Sequence, residues 1–186
     1  MEATLKGRLL VATPALLDPN FFRSVVLLVE HDVDGAAGVV LNRPSEMDLA
    51  SAPPLGSWRS VAAEPSLIFV GGPVQPTAAI CLARMSKPPA EIGFKPVVDG
   101  LGVLDLDNDP DRIRTNLDRV RVFAGYAGWG GGQLEHEIEE GSWYVLDADP
   151  EDALSSEPVG LWRSVLKRQG GRLALVANFP ADPNMN

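Results

Sequence analysis

Short apolar runs separated by glycine, proline and asparagine dominate this chain, and they predict a protein built mainly from strands. Aliphatic and β-branched residues cluster in these runs, as is typical of strands that are buried on at least one face. The turn residues at 32–35 and the Asp99-Gly100 pair each stand between two apolar runs, which predicts two hairpins with antiparallel pairing. Strands are predicted at residues 7–12, 24–30, 38–41, 67–70, 78–83, 97–98, 101–104, 119–123 and 143–146.

Helical periodicity is confined to short segments of the chain. Proline at the first helical position predicts one helix at 110–117 and another after Pro158. Apolar spacing predicts a helix at 133–140. Ser57 is a candidate N-cap for a short helix that ends at Ala63.

Strands outnumber helices, and several strands are joined by hairpins. This pattern predicts the α+β class: a single domain over residues 1–186, with a largely antiparallel sheet, open or barrel-like, and a few covering helices. Proline and small residues make 45–65 a predicted loop that covers an edge or a site. Residues 173–176 are apolar, but the run is too short to separate strand from helix.

The most distinctive stretch runs from Phe123 to Glu137. Five glycines occur within the eight residues Gly125–Gly132, beside the two aromatic residues Tyr126 and Trp129. The pattern predicts a strand that runs into a glycine-rich turn and then a short helix. Glycine allows tight turns and close backbone approach, so two arrangements are open. The aromatic side chains either line a cleft or pack in the core.

Composition and charge exclude several classes of protein. The chain has 186 residues and is 45% hydrophobic, which suits one compact domain. It carries 16 basic and 25 acidic residues, a net charge of −9, so we expect no direct binding to duplex DNA. No apolar stretch approaches the ~20 residues of a membrane span, and the N-terminus has no signal pattern. We therefore expect a cytosolic protein that does not enter the membrane.

The residues available for cofactor or metal binding are few. Two histidines and the single cysteine, Cys81, argue against a zinc site, and one cysteine cannot form an internal disulfide. The glycine-rich stretch lacks the lysine and hydroxyl of a phosphate-binding loop, and glutamates crowd the helix that follows it. We expect no bound cofactor and no metal.

Six short motifs are spread over most of the chain: Gly7–Pro14, Asp18–Val26, Glu30-His31, Gly35–Pro44, Gly71–Val74 and Gly125–Glu135. Together and in this order they resemble the bacterial YqgE/AlgH family. The resemblance implies a single α+β domain in the bacterial cytosol, a molecular activity that is unsettled and, for some members, a link to transcriptional regulation of alginate production. The segment from Leu161 to Asn186 resembles actinobacterial relatives rather than the alginate-linked proteins.

Polar and aromatic residues at the predicted strand ends and around the glycine-rich stretch form the candidate ligand site. Glycines let the backbone turn so that aromatic residues stand at the lip of a cleft, and a helix start offers unpaired N–H donors. Gln133 and Glu137 lie one turn apart and could present an amide and a carboxylate to one ligand. The candidate residues are Arg23, Ser24, Glu30, His31, Asn42, Arg43, Gly125, Tyr126, Gly128, Trp129, Gln133, Glu135 and Glu137.

The competing interpretation gives the same polar residues a structural role. In that case they form capping hydrogen bonds and an ion pair, either Glu30 with Arg43 or Glu135 with Arg23. The register of the hairpin decides between the two interpretations, because a slip of one residue turns every side chain to the other face.

Two function hypotheses from different classes follow. The first is a non-enzymatic module that binds a small molecule or a protein, with an indirect role in transcriptional regulation. It is favoured because local spacing assembles no acid, base and nucleophile. The second is a hydrolase or transferase that uses Ser24 with His31 or His136 and takes the Gly125–Gly132 turn as an anion hole. On one strand Ser24 and His31 lie about 23 Å apart, so they cannot pair within it.

Overall fold

The computed structural model describes residues 3–182, which form ten strands, five α-helices and four 3-10 helices. The end of the actinobacteria-like tail, residues 183–186, lies outside the described residues. The strands are β1 (Arg8–Ala12), β2 (Val25–Asp32), β3 (Gly35–Val40), β4 (Pro44–Asp48), β5 (Leu67–Val70), β6 (Val74–Met85), β7 (Phe94–Val98), β8 (Leu101–Leu104), β9 (Leu117–Gly130) and β10 (Trp143–Asp147). The α-helices are α1 (Pro110–Ile113), α2 (Gln133–Glu139), α3 (Pro150–Ala153), α4 (Leu161–Gln169) and α5 (Gly171–Val176).

The strands form one curled sheet in the order β10-β1-β2-β3-β9-β6-β8-β7, and every pairing along this path is antiparallel. β5 joins β9 in parallel, and β4 pairs with β5. The curl brings β7 back towards the start of β1, where a Cβ atom on Gly7 would lie 2.9 Å from the carbonyl oxygen of Val97. We call this place the seam. The sheet is therefore a half-barrel, and the predicted α+β class with a largely antiparallel sheet is confirmed.

The long strand β9 lies at the centre of the sheet and passes through most of the glycine-rich stretch. Its C-terminal half pairs with β3, and its N-terminal half pairs with β6. The prediction of a turn over Gly125–Gly132 was therefore wrong: only Gly131 and Gly132 lie outside the strand. Glycine occurs both in turns and in strands, and here the hydrogen-bonded pairing with β3 makes Gly128 and Gly130 strand residues.

Gly125 interrupts the alternation of side chains along β9. Its φ of 75° lies in the left-handed region, and the ladder with β6 is irregular opposite it. Before Gly125, Phe123 faces the inside of the curl; after it, Tyr126 faces inside and Trp129 faces outside. The bulge therefore decides which aromatic residue reaches the interior.

The bulge packs against the Gly71-Gly72 segment at backbone distance. A Cβ atom on Gly71 would lie 2.3 Å from the carbonyl oxygen of Gly125, and one on Gly72 would lie 2.2 Å from the backbone of Tyr126. No side chain fits at such distances. We refer to this arrangement of Gly71, Gly72, Gly125 and Tyr126 as the glycine contact.

Three hydrophobic clusters hold the sheet to its covering elements. The inner cluster fills one end of the curl, where Trp162 and Val165 of α4 pack against strand residues such as Leu27 and Phe123. Trp162 also donates a hydrogen bond of 2.9 Å to the carbonyl oxygen of Ala12. Burying side chains of this size contributes about 1.5–3 kcal/mol each. The two outer clusters lie under α2 and under the 3-10 segment Leu55–Val61.

A buried arginine links strands to the C-terminal helices. The Arg121 side chain is 2% exposed and donates hydrogen bonds to the carbonyl oxygens of Glu64, Ala153 and Ser155. Its guanidinium also lies 4.3 Å from the centre of the Phe69 ring. Burial lowers the pKa of Arg121 to about 10, with a further contribution from Arg119.

Several predicted segments differ from the observed ones. β4, an edge strand that begins at Pro44, was not predicted; the missing N–H of proline is tolerated there. The helix predicted from Ser57 to Ala63 is a 3-10 helix at Leu55–Val61 without a side-chain cap. The helix predicted at 110–117 is capped by Asp109 and ends at Ile113. The undecided run 173–176 lies in α5.

The glycine contact generates a test with a matched control. Gly71→Ala should destabilise the protein by about 3 kcal/mol or more, because the new methyl group meets a backbone oxygen that cannot move away freely. Gly160→Ala should change stability by less than about 1 kcal/mol, because nothing lies within 4 Å of a Cβ atom there. Urea unfolding of both variants measures the difference. Equal stability of the two variants would contradict the close contact.

Candidate ligand site at the mouth of the curled sheet

The inner face of the sheet opens into a cavity at the end where the β2–β3 hairpin turns. We call this the mouth cavity. Its volume is about 300 Å³, which is at the lower end for small-molecule pockets. Side chains from β2, β3, β6, β7, β8 and β9 line it, together with Lys6 just before β1. The lining residues are Lys6, Val29, Glu30, Ala37, Ile80, Lys95, Val97, Val103 and Tyr126.

Strand alternation explains why this end of the curl is open and the other end is filled. Residues two apart on a strand share a face, so the residues two positions deeper than the cavity lining also point inward. Those deeper residues are all fully buried in the inner cluster, where the C-terminal helices cover them. They are Leu27, Val39, Leu82 and Leu101.

Four polar side chains stand over this apolar floor. Lys6 and Lys95 bring ammonium groups, Glu30 brings a carboxylate, and Tyr126 brings a phenol. Within residues 3–182, none of these four groups makes a side-chain hydrogen bond or an ion pair. An apolar floor with a few uncommitted polar groups is the usual composition of a ligand pocket.

A second depression adjoins the mouth cavity, and we call it the rim groove. Its volume is about 460 Å³, and it shares Glu30, Ala37 and Tyr126 with the mouth cavity. Asp32 and Asp34 make this side acidic. Gly128 lies beside the Tyr126 ring, and its missing side chain leaves one edge of that ring open: a Cβ atom there would lie 3.6 Å from the ring.

A larger depression, of about 920 Å³, lies beside the 53–58 segment and the 104–108 loop. It shares Ile80, Lys95 and Val103 with the mouth cavity, so the two adjoin. Burial raises the pKa of the Cys81 thiol at its base, which makes that thiol a poor nucleophile. We place the candidate site at the mouth because strands enclose it, whereas loops bound much of the larger depression.

His31 is held by both of its ring nitrogens. The backbone N–H of Leu5 donates to Nδ1 at 2.9 Å, so the ring proton lies on Nε2, which donates to Glu135 at 2.6 Å. This hydrogen bond from His31 is the main cause of the lowered pKa of Glu135. His31 and Glu135 therefore connect the hairpin to α2, and neither faces the mouth cavity.

Trp129 and Glu137 also serve the attachment of α2. Glu137 accepts hydrogen bonds from the indole N–H groups of Trp129 at 2.8 Å and Trp143 at 2.9 Å. Trp129 is 6% exposed and packs near Phe21 and Trp143 on the outer face, although it borders the rim groove. Gln133 bonds to Glu137 and to the N–H of Gly130. Tyr126 and Trp129 both line the rim groove, but only Tyr126 lines the mouth cavity.

The predicted residues Arg23, Ser24, Asn42 and Arg43 lie at the other end of β2 and β3, away from the mouth. The Asn42 amide accepts from the N–H of Val25 and donates to the carbonyl of Arg23, whose φ of 54° is left-handed. The two bonds hold this strained turn. Ser24 is fully buried.

The two arginines of this group also bind internal groups. Arg23 donates to the carbonyl of Phe179 and stacks 4.4 Å from the Trp162 ring, while Arg43 donates to the carbonyls of Asn20 and Phe22. Burial lowers the pKa of both arginines. Neither the Glu30–Arg43 nor the Glu135–Arg23 ion pair forms in the described part of the chain.

The arrangement proposed for a hydrolase or transferase is not assembled. The Ser24 hydroxyl has no hydrogen-bond partner among residues 3–182, and His136 pairs with Glu140 at 3.2 Å. The Gly125–Gly132 stretch is no anion hole, because most of it belongs to the β9 ladders.

Two further observations limit the chemistry of the described residues. They contain no group of three or more His, Cys, Asp or Glu side chains placed to hold a metal ion. None of the helices from residue 3 to residue 182 has the length and apolar character needed to cross a membrane.

Sequence reasoning missed most of the mouth cavity. It found Glu30 and Tyr126, but Lys6, Lys95 and the apolar lining come from strands that are far apart in the chain. Lys95 of β7 stands opposite Val103 of β8, and both line the cavity. No local pattern indicates that these residues lie opposite β2 and β3.

The fold and the cavity together define a class: a single-domain α+β protein with a curled antiparallel sheet and an open cavity at one end. A family model described as AlgH-like matches residues 9–174. The chain belongs to the AlgH-like family, and the resemblance seen in its motifs is confirmed.

Relatives and solved structures agree with this assignment. The chain is 48% identical to a UPF0301 protein of Streptomyces avermitilis over 99% of this chain and 96% of the relative, and 46% identical to one of Thermobifida fusca over 98% and 96%. A crystal structure from Corynebacterium diphtheriae is similar with a TM-score of 0.87 at 30% identity, covering 96% of this chain and 94% of that one. The solution structure of the AlgH protein from Pseudomonas aeruginosa is similar with a TM-score of 0.72 at 30% identity, and the match covers 97% of this chain and 96% of that one.

The Glu137 carboxylate generates a prediction about stability. Glu137→Ala should lower the free energy of unfolding by about 2–4 kcal/mol, because two largely buried indole N–H groups lose their acceptor. Glu139→Ala, on the exposed side of the same helix, should change it by less than about 0.5 kcal/mol. Chemical denaturation followed by tryptophan fluorescence measures both. A Glu137→Ala protein as stable as the Glu139→Ala control would show that the hydrogen bonds do not hold α2.

Proposed function

We propose that this protein is a non-enzymatic binding module that takes a small molecule in the mouth cavity. The observation that carries the proposal is the convergence of four uncommitted polar groups on an apolar floor. Six strands supply most of the lining, so the site is held by the rigid part of the fold. Of the residues predicted from sequence, Glu30 and Tyr126 line this cavity.

A small molecule fits this surface better than a protein partner does. A stable protein interface buries about 800 Å² on each side and has a well-packed apolar centre. Two of the most exposed apolar side chains are instead Val33 at the hairpin tip and Val159 before α4, which belong to separate elements and do not line the mouth cavity. A concave site of about 300 Å³ suits a compact ligand.

Any regulatory role would be indirect in this proposal. The ligand would report a metabolic state, and a partner protein would pass the signal on to transcription. A cytosolic location is part of the proposal and is supported by the family resemblance. The acidic composition supports the absence of direct DNA binding, because affinity for duplex DNA depends on neutralising phosphates.

Tyr126 provides the direct test of the binding site. A thermal-shift screen with a metabolite library should find compounds that stabilise the protein, by ~2.7 kcal/mol for a ligand at 100 times its Kd. Tyr126→Ala should abolish that shift, whereas Tyr126→Phe should keep most of it, because the ring forms the wall shared by both cavities. Glu139→Ala is the control. Compounds that stabilise Tyr126→Ala to the same extent as the unmodified protein would show that they bind outside the mouth cavity.

A second test concerns nucleic acid. The protein should bind random duplex DNA no more tightly than about 100 µM at physiological salt, because a net charge of −9 opposes phosphate contact. Fluorescence anisotropy of a labelled duplex measures this at two salt concentrations. Micromolar binding that weakens steeply with salt would contradict the proposal of an indirect role.

A further inference from the structure

We infer that the mouth cavity selects amphipathic anions, with an aliphatic carboxylate as the simplest member of the class. This inference rests on the proposed function and adds the chemistry of its ligand. It depends on three features of the site: the separation of charge across the mouth, the position of two lysines at the seam, and the apolar floor below them.

Charge is divided between the two sides of Tyr126. On the rim-groove side stand the carboxylates of Asp32 and Asp34, and Glu30 lies at the border between the two depressions. On the other side stand the ammonium groups of Lys6 and Lys95. An anionic group entering the mouth is repelled from the first side and attracted to the second, so its position in the cavity is defined.

The two lysines meet at the seam although they are far apart in sequence. Lys6 precedes Gly7, and Gly7 stands directly against Val97 of β7. Lys95 stands opposite Val103 of β8, which packs onto the inner cluster, so Lys95 lies on the inner face near Val97. Neither ammonium group has a carboxylate partner in the part of the chain that the structure describes. A carboxylate between them would accept hydrogen bonds from both.

The floor next to the lysines can bury an aliphatic chain. Val29, Ile80, Val97 and Val103 are only partly buried, and all four pack onto the inner cluster. A chain that covers them removes apolar surface of both partners from water. Each added methylene should therefore tighten binding about fourfold, the fold-change that corresponds to ~0.8 kcal/mol per buried CH₂, until the cavity is full.

The test compares three series of straight-chain probes from four to ten carbons: carboxylates, alcohols and amines. Isothermal titration calorimetry on the full chain, below the micellar concentration of each probe, gives Kd against chain length. Carboxylates should bind with the fourfold increment per methylene, alcohols of equal length about tenfold more weakly, and amines not measurably. Raising the salt concentration should weaken carboxylate binding and leave alcohol binding unchanged.

Lysine variants separate the contribution of the probe's carboxylate group from that of its aliphatic chain. Lys6→Met and Lys95→Met should each weaken carboxylate binding by up to about fivefold, as for exposed ion pairs, without altering the increment per methylene. Lys167→Met on the exposed side of α4 is the matched control and should change nothing. Each replacement keeps an unbranched side chain, one atom shorter and uncharged, at a position outside the core.

The outcomes distinguish this inference from the proposed function. If alcohols or amines bind as tightly as carboxylates, or if the seam lysines have no effect, anion selectivity is wrong while binding at the mouth stands. If no series binds but a screened compound does and depends on Tyr126, the ligand class is again wrong. If carboxylates bind equally well to Tyr126→Ala, the mouth is not the site and both proposals fail.

Discussion

The glycine contact is the constraint on which the rest of the structure depends. Two backbone segments, at Gly71-Gly72 and at Gly125, approach so closely that neither can carry a side chain. This approach lets β5 and β6 both pair with the middle of β9, one in parallel and one antiparallel. It also fixes the bulge at Gly125, and with it the direction of every side chain in the second half of β9.

That change of direction separates the binding surface from the supporting surface. Trp129 turns outward and, with Glu137, fastens α2 to the sheet. Tyr126 turns inward and stands between two cavities. Had the alternation continued through Gly125, the two aromatic residues would have exchanged faces. The site therefore depends on a backbone feature, and the chemistry of the mouth follows from the strands that the curl brings around Tyr126.

Local patterns predicted the fold better than the site. The Asp99-Gly100 turn and the proline start signal at Pro158 are local features, so the sequence was sufficient to predict that hairpin and the helix α4 after Pro158. The glycine-rich stretch was misassigned as a turn, because glycine serves a bulged strand as well as a turn and only the partner strands decide. The mouth could not be predicted, since Lys6 and Lys95 meet only when the sheet curls. Arg23 and Asn42 were attractive candidates because they are polar, but their partners are internal carbonyl and N–H groups.

The seam has a consequence for the free edges of the sheet. Its outer strand, β7, carries Pro96, which has no N–H to donate and so interrupts any hydrogen-bonded ladder on that edge. β1 has no free edge to offer β7, because β10 and β2 already pair with it on its two sides. The edge of β7 is thus open to other molecules, and its proline resists pairing with a strand of another molecule, the first step in edge-to-edge aggregation. The sheet edge that stands beside the entrance to the mouth cavity is therefore protected from such pairing.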